Sequence, residues 1–332
     1  MNKPIIQVQH LTKTYRVPEK LPGLGASVRS LFKPQYRDVE AVRDISFEVH
    51  SGEMVGLIGP NGAGKTTTLK MLSGLLYPTS GQATIAGFTP WERHTNYLRR
   101  ISMVMGNRSA MNWDIPPMDS FRVLSQIYRV PEKTYLHILD ELIALMDMEA
   151  LMKKPVRNLS LGERMKCELV AGLLYQPDIL FLDEPTLGLD VVMQRRIRQF
   201  LKSYNTDHAV TVILTSHYMA DVTALCPRVM LIHHGRLLFD GKLQSLAEKL
   251  APFKLIKLQF STPVIDFENY LQQFPDVESL PRQDEHYSLR VARSEVAKVT
   301  AQLLSQLPIA DLSVEDPPIE AVIDQIYEVG SV

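Results

Sequence analysis

One stretch constrains this chain more than any other: Gly59-Pro60-Asn61-Gly62-Ala63-Gly64-Lys65-Thr66-Thr67, which fits G-x-x-x-x-G-K-[ST]. The alternating apolar run Met54-Val55-Gly56-Leu57-Ile58 precedes it, and the helical run Thr68-Leu69-Lys70-Met71-Leu72 follows. Strand, glycine-rich turn and helix in that order predict an α/β fold with the turn at a strand's carboxyl end. The glycines let backbone N–H groups close around phosphate oxygens, and the helix N-terminus adds partial positive charge. Lys65 is expected to reach the β/γ-phosphates of a nucleotide, and the Thr66 hydroxyl to ligate Mg²⁺. A chance match would lack the flanking strand and helix.

A second motif is Ile179-Leu180-Phe181-Leu182-Asp183-Glu184-Pro185-Thr186. Four consecutive apolar residues predict a strand buried on both faces, with carboxylates at its C-terminal edge, where open α/β sheets bind ligands. Asp183 would then hold Mg²⁺, directly or through water, and Glu184 would polarise an attacking water. An isolated Asp-Glu pair at a strand end is more often a helix cap or a solvated turn. Its partnership with the phosphate loop favours the catalytic reading.

Between the two lies Asn158-Leu159-Ser160-Leu161-Gly162-Glu163-Arg164, opening a helical run from Met165 to Tyr175. Ser160 and Glu163 have the spacing of a capping box. The same residues resemble the signature sequence of ABC transporter ATPases, Gly188-Leu189-Asp190 resembles that family's D-loop, and Thr211 to Thr215 followed by Ser216-His217 resembles its switch-histidine segment. Leu11-Thr12-Lys13-Thr14-Tyr15, Gly74 to Gly81 and Gly235-Arg236-Leu237 are also similar to family segments. The resemblance spans residues 1 to about 245. It implies a P-loop NTPase core with an antiparallel β lobe and a helical subdomain at about 108–175. By the same resemblance Tyr15 stacks on adenine, the lesser alternative being an ordinary half-buried strand-end tyrosine. Ser160, Gly162 and Asp190 serve a nucleotide sandwiched between two subunits facing head to tail, and His217 meets the γ-phosphate.

Two positions depart from the family pattern. Ile101 to Met105 and Gly106 lead to Asn107 where the family carries a Mg²⁺-ligating glutamine, so the amide falls roughly 1.5 Å short on covalent geometry. Glu163 stands where glutamine is usual. Both bear on turnover rather than on class.

Elsewhere the organisation reads more coarsely. Residues 5–15 and 44–50 alternate like strands around an insert, 16–40, expected to be mostly loop, with a short basic amphipathic turn at 26–33. Phe121–Tyr128 and Tyr135–Met148 show helical spacing. Trp113 and Ile115-Pro116-Pro117 read equally as packing residues or as a surface that receives a transporter's coupling helix. Residues 253–332 predict a small α+β domain: a strand at Ile256–Phe260, a helix at Ile265–Phe274, a strand at Tyr287–Val291, a helix at Ser294–Leu307, a strand near Leu312–Val314 and a helix at Ile319–Tyr327. Its end resembles ATPase subunits of bacterial ABC-2-type exporters.

Composition narrows the partners. The chain has 332 residues, enough for two domains, with 45% hydrophobic content and a formal net charge of −1. Nothing in that charge favours nucleic acid. Two cysteines, Cys167 and Cys226, lack metal-ligand spacing, and no apolar run approaches the ~20 residues of a spanning helix. The expectation is therefore a peripheral protein at the cytoplasmic face of the bacterial inner membrane, binding ATP and Mg²⁺. It would form a homodimer or heterodimer and drive a separately encoded permease. A soluble ABC ATPase outside transport, or an importer ATPase with a C-terminal regulatory domain, are the competing readings. One cassette, no heptad run and no basic surplus argue against the first.

Overall fold

The computed structural model describes residues 3–18, 36–106, 109–216, 218–250, 253–262, 264, 267–283 and 286–317. Asn107, His217, the 26–33 segment and the proposed helix at 319–327 lie outside them. The chain divides into two compact units, 1–241 and 242–332.

Among the described residues, nine strands lie in the first unit, the last ending at its boundary: β1 (Ile6–Pro18), β2 (Tyr36–Val49), β3 (Met54–Ile58), β4 (Ser80–Ile85), β5 (Ile101–Met105), β6 (Ile179–Asp183), β7 (Thr211–Thr215), β8 (Arg228–His233) and β9 (Arg236–Lys242). They form two sheets. One is antiparallel, in the order β2-β1-β4; the other runs β5-β6-β7-β3-β8-β9, and its strands β5, β6, β7, β3 and β8 pair in parallel. All five residues of β3, of β6 and of β7 are buried, so both faces of the central sheet are covered. That is why these strands read as continuous apolar runs. The β1–β2 ladder alternates instead, burying Val42, Ile45, Phe47 and Val49 on one face.

The expected loop between residues 16 and 40 is partly overturned. β1 continues through Pro18 and β2 begins at Tyr36, with Arg16 paired to Asp38, Val17 to Arg37 and Pro18 to Tyr36. Pro18 can end a strand because the missing N–H costs nothing where the ladder stops. Prolines and glycines in the segment obscured a hairpin whose arms are stabilised by each other, not by local propensity.

The helices are α1 (Lys65–Leu72), α2 (Thr95–Leu98), α3 (Pro117–Ile127), α4 (Glu132–Met146), α5 (Leu161–Leu173), α6 (Val191–His208) and α7 (Met219–Leu225). Helices α3, α4 and α5 make up the helical subdomain. Its packing includes Tyr128 stacked on Tyr175 at 3.7 Å between ring centroids. Lys166 on α5, nearly fully buried, caps α4 by donating to the carbonyl of Met146 at 2.6 Å. No helix among the described residues is long and apolar enough to cross a membrane.

The second unit begins with α8 (Leu243–Leu250), followed by β10 (Phe253–Phe260), α9 (Phe267–Leu271), β11 (Val277–Gln283), β12 (His286–Ala292), α10 (Val296–Gln306) and β13 (Ile309–Glu315). Its sheet is antiparallel in the order β11-β12-β10-β13. Ile256, Leu258, Leu289 and Val291 pack against Phe267, Leu271, Val299 and Leu303 from the two helices. This is the expected α+β arrangement, with one strand, β11, that the sequence did not announce. In its second half Pro281, followed by the polar Arg282 and Gln283, hid the alternation.

Candidate active site

The parallel strands β3, β5, β6 and β7 all end at one edge of the sheet, and the motifs sit on those ends. After β3 the chain turns through Gly59 to Gly64 into α1. A Cβ on Gly59 would come 2.1 Å from the carbonyl oxygen of Ile232, and one on Gly64, at φ 109°, 2.4 Å from that of Ala41. Backbone crowding therefore requires glycine at both. Around Gly62 there is open space, with φ 81° and nothing within 4 Å of an added Cβ. Gly64 stands at the N-cap of α1 without any side-chain cap bond, which leaves the first N–H groups of the helix uncapped by its N-cap side chain.

Lys65 is 5% exposed. Its Nζ donates to the carbonyls of Gly59 at 2.6 Å and Pro60 at 3.0 Å. Burial pushes its pKa down from the ordinary lysine value, opposed by the negative charges of Glu184 and Asp183. A cation held by two loop carbonyls and facing two carboxylates is stored at the mouth of the loop.

Asp183 closes β6 and is the hub of the edge. Its Oδ1 accepts from the Thr66 hydroxyl at 3.0 Å and from the Thr215 hydroxyl at 2.8 Å. Asp183 and Thr215 are register partners in the β6–β7 ladder, so their side chains leave the sheet side by side. Glu184 follows at φ 55°, and its N–H donates to the Thr215 carbonyl and hydroxyl, each at 3.1 Å. A positive φ on a non-glycine residue at such an edge is strain held by its surroundings. From β5, Gly106 N–H donates to the Asp183 carbonyl at 3.1 Å, and a Cβ there would come 2.9 Å from the Glu184 carbonyl.

The structure thus brings Lys65, Thr66, Asp183 and Glu184 together, with Thr67 half-buried on α1 and Asn61 and Gly62 exposed on the loop. Tyr15 lies on β1 opposite Val39, half-buried, with the Lys13 ammonium 5.3 Å from its ring centroid. Ser160 is the N-cap of α5 in a complete capping box: the Glu163 N–H donates to its hydroxyl at 3.3 Å, and its own N–H donates to Glu163 Oε2 at 2.8 Å. That bond from the Ser160 N–H holds the Glu163 carboxyl below its ordinary pKa. A Cβ on Gly162 would meet Met193 at 2.8 Å. Asp190 caps α6, its carboxylate accepting from the Met193 N–H at 2.8 Å. In the 113–117 segment Trp113 is 51% exposed under the Arg164 guanidinium, whereas Pro117 is buried.

Sequence reasoning missed two side chains. Thr215 ends a strand whose middle, Val212 to Leu214, is apolar, and only the pairing of β6 with β7 gives its hydroxyl a role. Glu168, buried on α5, accepts the Ser109 hydroxyl and, at 3.0 Å, the Ala110 N–H, so it ties the loop after β5 to the helix that Ser160 opens. Burial pushes its carboxyl's pKa up. Glutamate inside a helical apolar run was the available signal.

A phosphate loop on β3, carboxylates on β6 and a hydroxyl from β7 at one sheet edge define a nucleoside-triphosphate-binding α/β protein. The ABC transporter family profile matches residues 42–187, and a profile for the C-terminal domain of EvrA-like ABC transporters matches 252–315. The ABC transporter ATP-binding protein NatA of Bacillus subtilis strain 168 is 32% identical over 217 residues, covering 65% of this chain and 88% of that one. The Nod factor export ATP-binding protein I of Cupriavidus pinatubonensis is 32% identical over 234 residues, covering 70% of this chain and 69% of its own. A solved ATP-binding subunit of an ABC transporter superposes with a TM-score of 0.61 at 24% identity, over 74% of this chain and 92% of that chain, a likeness of fold. The chain belongs to the ABC transporter ATP-binding proteins, the ATPase subunits of that transporter class.

Proposed function

We propose that this subunit hydrolyses Mg²⁺-bound ATP at the edge formed by β3, β6 and β7 and thereby drives export through a separately encoded permease. The observation that carries the site is the Thr66–Asp183–Thr215 oxygen cluster beside Lys65. All its donors are oxygens, which suits Mg²⁺, and Mg²⁺ commonly takes one or two protein oxygens and completes its shell with phosphates and water. When bound, the ion supplies charge neutralisation at the β- and γ-phosphates. Thr66 and Asp183 would hold it, with Asn107 assigned to the same shell.

The loop N–H groups from Gly59 to Thr67 would cradle the phosphates, and Tyr15 would stack on the base. Lys65 would exchange its two carbonyl acceptors for phosphate oxygens. Glu184 would orient the water, with His217 at the γ-phosphate. Ser160, Gly162 and Asp190 would act on the nucleotide of a second copy facing head to tail. Exposed apolar side chains around them support this: Leu161, Leu187, Val191 and Val192 are 41%, 47%, 66% and 64% exposed.

Export is supported by the relative whose own name records Nod factor export, and the absence of a spanning helix among the described residues fits a subunit peripheral to the cytoplasmic face of the membrane. We assign residues 1–245 to the ATPase domain and 253–332 to an accessory domain, with no nucleic-acid partner. The decisive test is Glu184→Gln, an isosteric change that removes the base. Mg²⁺-ATPase activity should fall by about 10²–10⁴-fold while ATP binding persists. Light scattering with ATP and Mg²⁺ should then find a dimer; a strict monomer at high protein concentration overturns the sandwich arrangement.

A further inference from the structure

Asp221 lies in the first turn of α7, where an aspartate normally faces solvent and favours the helix N-terminus by its charge alone. This one is 0% exposed and turns inward. Its Oδ1 accepts from the Arg198 guanidinium at 2.7 Å, and Oδ2 accepts from the hydroxyls of Ser216, at 2.7 Å, and Thr186. All three donors belong to segments that leave the catalytic edge. Thr186 is two residues beyond Glu184, Ser216 ends the exit of β7 just before His217, and Arg198 sits on α6, the helix that Asp190 opens.

Secondary bonds tighten the same junction. Ser216 Oγ also accepts the Tyr218 N–H at 3.0 Å. From α6, Gln194 Nε2 donates to the carbonyls of Leu189 at 3.2 Å and Thr186 at 3.4 Å. Thr186 and Ser216 are both nearly fully buried, at 1% and 4% exposure. A buried carboxylate is tolerable only when its oxygens are matched by donors, and an arrangement so matched has one geometry rather than several. Local sequence does not require it, since Thr186, Arg198, Ser216 and Asp221 come from three separate segments.

We infer that Asp221 is a positioning residue for ATP hydrolysis: it sets the exits of β6 and β7, and the helix after Gly188-Leu189-Asp190, in fixed relation to one another. It touches no reacting atom. Its effect passes through Thr186 to Glu184 and through Ser216 to the exit of β7. The inference rests on the ATPase reading of the edge.

Asp221→Asn leaves Arg198 facing an amide in the interior and can fail by misfolding alone, so the test uses the donors. Thr186→Val and Ser216→Ala each delete one hydroxyl and keep the Arg198–Asp221 pair; Thr186→Ser keeps the hydroxyl. Steady-state ATPase, ATP affinity and melting temperature are measured for the purified full chain and these three variants. The expected result is a kcat loss of roughly fivefold in each deletion, the scale of one hydrogen bond, with KM for ATP and ATP affinity within about twofold of wild type and Thr186→Ser near wild-type kcat. Unchanged kcat in both deletions, or Thr186→Ser no better than Thr186→Val, overturns the positioning role. Losses that appear only in KM and track the melting temperature also overturn it. A wild-type chain that binds ATP without turning it over sinks the ATPase reading itself, and the positioning role with it.

Discussion

The two units of this chain treat polar groups in opposite ways. In residues 1–241 the interior carries charged and hydroxyl side chains: Lys65, Lys166, Glu168, Asp183, Thr186, Thr215, Ser216 and Asp221 are all buried. In the described residues of 242–332 the fully buried residues are apolar, with the Thr300 hydroxyl the buried polar atom beside them, and the ion pairs lie outside, as between Lys257 and Glu315 at 2.6 Å or Arg293 and Asp316 at 2.7 Å. Buried polar groups cost several kcal/mol each unless matched, so a fold keeps them where geometry, not stability alone, is at stake. The second unit has the economy of a packing module: one apolar face against two helices, one wet face.

That contrast is open to attack. Lys65→Ala strikes the polar interior at its largest consequence, the proposed phosphate contact. ATPase activity should fall by about two to three orders of magnitude, and ATP affinity should fall with it. A coupled-enzyme assay and nucleotide titration check this; retained turnover would remove Lys65 from the site. In the second unit the counterpart is Leu258→Ala, at a fully buried position between Tyr287 and Leu312 on the neighbouring strands. It should destabilise that unit by about 2–5 kcal/mol while ATP affinity stays at the wild-type value. Denaturant unfolding followed beside nucleotide binding separates the two effects.

A smaller effect is expected at the start of α5. The Glu163 pKa is lowered in the folded state, so its capping bond contributes stability above the ordinary glutamate range and loses it as pH falls through the folded pKa. Glu163→Gln keeps an acceptor for the Ser160 N–H but has no titrating group. Its melting temperature should therefore lose less than that of wild type between neutral and acid pH, and equal losses would deny the capping bond any part in acid stability. The smallest change should come from Lys257→Ala, which deletes an exposed, salt-screened pair on the wet face. Its melting curve should superpose on wild type. A clear destabilisation would mean that this face is not solvent-facing in the working protein.

How far each region could be read in advance follows the same line. The strands β3, β6 and β7 were legible because burial on both faces leaves an apolar run, bounded by glycine after β3, ended by a carboxylate in β6 and framed by threonines in β7. Helices α3, α4 and α10 were legible from their spacing. The hairpin arms at 16–18 and 36–40 were not, because each strand is held by its partner across the ladder and its few strand-favouring residues, Val17, Tyr36 and Val39, stand among charges and next to prolines and glycines. β11 escaped for the same reason.

Within the site, Lys65, Thr66, Asp183 and Glu184 could be named from short motifs, since each motif's chemistry is local: a loop that admits phosphate, a carboxylate at a strand end. Their meeting at one edge required the strand order β6-β7-β3. Thr215, Glu168 and Asp221 belong wholly to tertiary structure. A threonine and an aspartate carry no role in themselves, and the glutamate, though marked by its place in a helical apolar run, carries none either. They gain one when pairing sets Thr215 against Asp183, when α5 brings Glu168 to the loop after β5, and when three chain segments converge on the Asp221 carboxylate. Sequence determined which groups could do the chemistry, because bond type and charge are properties of residues. Tertiary structure decided which of them are held in one geometry, because the cost of leaving a buried polar group unmatched is levied only after the chain has closed around it.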